Sequence, residues 1–164
     1  MAKSAASTLV KEVFPPVKKE AVITIKGTQF VDGDKDTVEL TTVGTFYRKN
    51  DVYYLTYQES EATGFAGQRT TLKLEGNRRV TMIRFGGGES SLNIEKGVRH
   101  QCQYDTGYGS LLIGVNGDEI ESGLTDDGGS YRFKYSLDIN TALVSTNEIR
   151  LTVKPCESET NTEL

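Results

Sequence analysis

The chain has 164 residues, 19 Lys and Arg against 23 Asp and Glu, a formal charge of −4 and 36% apolar residues. That length holds one sizeable core. The acidic balance argues against a role built on nucleic-acid backbone contacts, which need a basic surface, and no stretch approaches the roughly 20 apolar residues of a membrane-spanning helix.

Met1 to Lys19 is rich in Ala, Ser and Lys and ends in Val13-Phe14-Pro15-Pro16-Val17. Proline stops a helix there and favours extended chain. The segment reads as a mobile leader, with a short helix plugging a barrel end as the alternative. It has no uninterrupted apolar stretch of signal-peptide length, so the expected compartment is the cytoplasm.

From residue 20 to 155 apolar and polar residues alternate with period two, broken by Gly, Asn or Asp turns, which predicts one β domain. Val38, Leu40 and Phe46 share a face with Gly44, an expected bend point within a strand. Leu72 and Leu74 alternate with Thr71, Lys73 and Glu75. The clearest run is Tyr131, Phe133, Tyr135, Leu137 and Ile139, all expected to face one core, with Arg132, Lys134, Ser136 and Asp138 outside. Ile149, Leu151 and Val153 follow the same rule. The expected turns are Asp32-Gly33-Asp34, Asn50-Asp51, Gly76-Asn77, Asn116-Gly117-Asp118 and Asp127-Gly128-Gly129. No segment in this range carries ten residues of helical period with caps. Residues 156–164 are polar and acidic and read as a disordered tail.

About eight to ten strands in one meander must curl or close, because open edges invite aggregation. The expected fold is all-β, a closed antiparallel up-and-down barrel, with a two-sheet sandwich as its competitor. The strings Gly27-Thr-Gln-Phe-Val-Asp-Gly33, Tyr53-Tyr-Leu-Thr-Tyr57, Thr70-Thr-Leu-Lys-Leu-Glu75, Val80-Thr-Met-Ile-Arg84, Thr106-Gly-Tyr-Gly109 and Tyr135-Ser-Leu-Asp-Ile-Asn140 occur in this order. In order and spacing they resemble the YwiB-like bacterial family of unknown function, although Gly107 stands where that pattern carries proline. The resemblance implies a calycin-like barrel similar in outline to the lipocalins, and it implies no reaction.

Six residues are candidates for binding a ligand. His100, the only histidine, alternates with Arg99 and Gln101 and is expected inward, as either a satisfied interior imidazole or a ligand contact. Arg84 follows Val80 and Met82 on one face, and Glu59 follows Tyr53, Leu55 and Tyr57. If those faces point inward, the two charges must pair with each other or with a ligand. If Thr81, Ile83 and Phe85 point inward instead, Arg84 is solvated. Tyr53, Tyr57 and Tyr104 are read either as apolar wall of a pocket or as ordinary cross-strand packing. One His with Cys102 two residues away on the same strand is too little for zinc, so no metal is expected. Phe85-Gly86-Gly87-Gly88-Glu89 lacks the frame of a phosphate loop, and no nucleophile elbow is present. No cofactor and no catalytic residue are expected, and both Cys102 and Cys156 are expected as free thiols.

These residues suggest a barrel that binds a small apolar or carboxylate-bearing ligand without catalysis. The alternatives are a filled barrel acting as a protein-interaction module and, third, an enzyme using His100 with Glu59 or Arg84. A homodimer stays open.

Overall fold

A computed structural model of the chain describes residues 17–86, 88–105 and 108–156, without the side chains of Tyr104 and Asp105. The leader through Pro16, the turn at Gly107 and the tail beyond Cys156 lie outside these residues. The first half of the barrel is β1 (Lys19–Val31), β2 (Asp34–Lys49), β3 (Val52–Gln58), β4 (Arg69–Glu75) and β5 (Arg79–Phe85). The second is β6 (Glu89–Glu95), β7 (Arg99–Asp105), β8 (Ser110–Thr125), β9 (Gly128–Ile139) and β10 (Ala142–Pro155). One 3₁₀ turn, Glu61–Thr63, links β3 to β4.

All ten strands belong to one antiparallel sheet in the order β6-β5-β4-β3-β2-β1-β10-β9-β8-β7. The expected meander is therefore closed by its first and last strands, from Ala21 opposite Pro155 to Phe30 opposite Thr146. No second sheet forms, so the sandwich alternative falls. The barrel is nearly closed: β6 and β7 are its two edges, joined only by a bridge between Glu95 and Val98 near their connection.

The turns follow local chemistry. Asp32-Gly33, Asn50-Asp51 and Asn140-Thr141 are two-residue hairpins with positive φ at both positions, the form whose twist matches the flanking strands. Asn116-Gly117-Asp118 is not the turn its composition predicts. It lies inside the sixteen-residue β8, where the register slips between Gly117 and Glu119. The extra residue makes a bulge, and Gly117 is required because any Cβ there would strike the backbone of Glu95.

The inward faces meet in a dry core. Ile23, Phe46, Leu55, Leu72, Leu74, Val80, Ile94, Ile120, Tyr131, Phe133 and Leu151 are all buried to within 2%, and each such side chain contributes about 1.5–3 kcal/mol of burial. The alternation of β9 holds for Tyr131, Phe133 and Tyr135, relaxes at the half-buried Leu137 and Ile139, and reverses at Asp138, which is buried.

The ends of the barrel differ. The end carrying the β2–β3, β4–β5, β6–β7 and β8–β9 connections is bolted shut. Asp126 of the β8–β9 turn accepts hydrogen bonds from Arg48 Nε at 2.8 Å and from the Tyr53 hydroxyl at 3.1 Å. That contact reaches across β9, β10 and β1 in the ring. Lys19 donates to the Asp126 carbonyl, and the Tyr131 hydroxyl donates to the carbonyl of Gly76. No such clamp crosses the other end among the described residues.

Candidate binding site at the open end of the barrel

Alternation along β3 and β5 delivers Glu59 and Arg84 to the open end. Val80 and Met82 are buried, so Arg84 shares their face, and of the two registers open in the sequence the inward one forms. Glu59 is held just past the end of β3 by its own amide, which donates to the carbonyl of Gln68 at 2.8 Å. Its carboxylate is 2% exposed. Oε2 accepts from the Thr70 hydroxyl at 2.6 Å and from Arg84 Nε at 3.4 Å. Thr70 is itself fully buried on β4, opposite both Tyr57 and Arg84.

The Arg84 guanidinium is also covered on one face by the ring of Phe65, 3.8 Å from its centroid. Such cation–π contacts favour a planar guanidinium. Glu59 and Phe65 together hold it in one orientation, while Nη1 and Nη2 have no hydrogen-bond partner among the described residues.

Two connected lobes open around this group. The first, about 220 Å³, runs between Leu40, Tyr57, Leu72 and Ile149. The second, about 360 Å³, runs between Leu92, Cys102, Ile113, Tyr135 and Leu137. Gln29, Phe65, Met82, Arg84 and Asn147 belong to both. Burial pushes the phenols of Tyr57 and Tyr135 well above their ordinary range, with the nearby Glu59 adding to the effect at Tyr57. Burial likewise pushes the Cys102 thiol up, which keeps it neutral and makes it part of the wall rather than a nucleophile. A cavity of about 440 Å³ at the closed end, lined by Phe46, Arg48, Tyr53 and Asp126, is less suited to a ligand because its acid and base are bonded to each other.

Residues 23–151 match the family described as a domain of unknown function (DUF1934). This chain belongs to that family. It is 24% identical over 125 residues to the uncharacterized beta-barrel protein YwiB of Bacillus subtilis (strain 168), a match spanning 75% of this chain and 86% of that protein. Its fold resembles the crystal structure of the ywiB protein from Bacillus subtilis, with a TM-score of 0.72 and 20% identity over 85% of this chain and 94% of that one. The motifs that carried the family resemblance thus led to the right fold and family.

Within this DUF1934 chain the six candidate residues do not form one cluster. Arg84, Glu59 and Tyr57 meet at the open end. Tyr53 lies at the other end of β3, stacked on Phe46 at 5.3 Å and bonded to Asp126. His100 joins neither lobe: it is 30% exposed, and its Nε2 lies 2.9 Å from Oε1 of Glu95. The Tyr104 side chain lies outside the described residues. Phe65, Thr70, Gln29 and Asn147 were missed, because a phenylalanine in a loop and lone polar residues in strands carry no sequence signal. No group of His, Cys, Asp and Glu among the described residues has the arrangement of a metal site. No helix among them is long and apolar enough to cross a membrane.

Proposed function

We propose that the chain binds a small ligand at the open end of the barrel, with a carboxylate on Arg84 and an apolar body among Met82, Leu92, Ile113 and Leu137. The supporting observation is the state of Arg84: one nitrogen bonded to a buried carboxylate, one face covered by Phe65, and two terminal nitrogens unpaired. A guanidinium held this way suits a bidentate carboxylate. Ligand sites are mostly apolar with a few converging polar groups, and both lobes have that character. The reading agrees with the calycin-like kinship that the sequence motifs imply. It includes no catalytic step, since His100 is bonded to Glu95 instead of the Arg84–Glu59 pair. The free thiols Cys102 and Cys156 accord with a reducing, cytoplasmic setting.

A thermal-shift series of fatty and aromatic carboxylates, each paired with its methyl ester, tests this. A ligand at a hundred times its Kd stabilises the native state by about 2.7 kcal/mol, which raises Tm by roughly 5–10 °C for a domain of this size. The acids are expected to raise Tm and the esters not, and Arg84→Met is expected to erase the difference. If no acid raises Tm, the carrier reading fails and the interaction-module reading replaces it.

A further inference from the structure

The two edges of the sheet lie side by side in the barrel wall without pairing. Beyond the Glu95–Val98 bridge no ladder joins β6 to β7. The wider lobe reaches into this gap. It is lined by the consecutive residues Ser90, Ser91 and Leu92 of β6 and by Cys102 and Gln103 of β7. Neighbouring residues of a strand point to opposite faces, so a cavity touching them in unbroken succession passes along the strand edges as well as over the inner face. The lobe therefore opens sideways through the wall, bordered by backbone groups that β5 and β8 do not use. On β6, the buried Oδ1 of Asn93 also lacks a donor.

We infer that the gap between β6 and β7 is a docking site for an extended peptide segment that joins the sheet as an additional strand. Backbone donors and acceptors spaced about 3.3 Å per residue along two edges are matched by another strand, and strand addition is a general mode of peptide recognition. The inserted strand is antiparallel to one edge and parallel to the other, because β6 and β7 run in opposite directions. Its inward side chains enter the wider lobe and are apolar. Its outward ones sit between Glu89 of β6 and Gln101 of β7 and are polar. Its length is bounded by the seven residues of either edge. The site is separate from the carboxylate site at Arg84, which requires a side-chain anchor and no peptide backbone.

The test uses a blocked peptide of seven alternating valines and threonines, flanked by lysines for solubility. It is compared with two versions N-methylated at alternate residues, one in each phase. Binding is followed by titration calorimetry and by amide hydrogen exchange of the whole protein. In the free protein, the outward amides of residues 90–93 and 100–103 are expected to exchange faster than those of β4. The unmodified peptide is expected to bind and protect both edges, and each methylated version to bind at least tenfold more weakly. Arg84→Met is expected to leave the peptide's affinity within twofold. Equal binding of methylated and unmodified peptides would mean an apolar pocket or a small-molecule portal, and would overturn the inference. So would no binding of the unmodified peptide, full protection of both edges in the free protein, or loss of binding in Arg84→Met.

Discussion

Asp138 occupies the polar phase of β9, yet its side chain is only 7% exposed. Arg99 grips it with two bonds of 3.0 and 2.6 Å, Asn116 donates at 3.0 Å, and the Thr141 amide donates at 3.3 Å. Four donors favour the charged carboxylate, the Arg99 pair foremost, and its pKa falls from 3.8 to about 2. Because the folded carboxyl is the stronger acid, its stabilisation is complete above the unfolded value of 3.8 and is lost as pH falls through about 2. Asp138→Asn is therefore expected to destabilise the protein at pH 7, with the deficit closing between pH 4 and pH 2. Urea unfolding across that range measures it, and a deficit that stays constant with pH would contradict the assignment. At the open end, Glu59→Gln removes the charge that holds Arg84 while keeping the shape. The expected loss is about 1–3 kcal/mol, read from the urea midpoint, together with weaker binding of any carboxylate.

Among the elements, β2 shows how a long strand serves two neighbours. It pairs with β1 from Asp34 to Phe46 but with β3 only from Thr45 to Lys49. Gly44 stands where β3 leaves, and a Cβ there would strike the carbonyl of Thr56 and the side chain of Ile23. The bend that alternation suggested at Gly44 is thus a close approach of strands. Gly44→Ala is expected to cost about 1–3 kcal/mol by overpacking, measured as a lower urea midpoint with an unchanged slope. The β9–β10 hairpin presents the opposite case. Thr141 has a φ of 67°, a region costly for a β-branched residue. Thr141→Gly is expected to stabilise by about 1 kcal/mol, and a midpoint below wild type would show that the side chain contributes more than the strain removes.

For the whole molecule, closure between β1 and β10 places the ends of the described chain together: the amide of Cys156 donates to the carbonyl of Glu20 at 2.8 Å. The chain therefore interrupts the barrel at β6–β7, a place unrelated to its own ends. A circular permutant that joins residues 19 and 156 by a short linker and opens at Gly97 would read β7-β8-β9-β10-β1 through β6, a plain meander in sheet order. It is expected to unfold cooperatively, with the same far-ultraviolet spectrum as the parent. A broad, non-cooperative transition would show that the Glu95–Val98 hairpin is needed to set the register of the edges.

Local chemistry was enough to read the strands, most of the turns and the all-β class, because period-two alternation and turn residues act over a few positions. It failed at Asn116-Gly117-Asp118, since turn and bulge use the same residues and only the partner strand separates them. Alternation by itself could not choose between the faces of β5, where Val80 and Met82 are as apolar as Ile83 and Phe85. That choice fell to β4, whose Leu72 and Leu74 face the core and carry Met82 and Val80 in with them. The same packing brought Arg84 to Glu59, 25 residues earlier in the chain, and left His100 with Glu95. Sequence determines which faces a strand can offer. Neighbouring strands decide which face is buried, because burial is a property of the assembled sheet and a single strand has no inside.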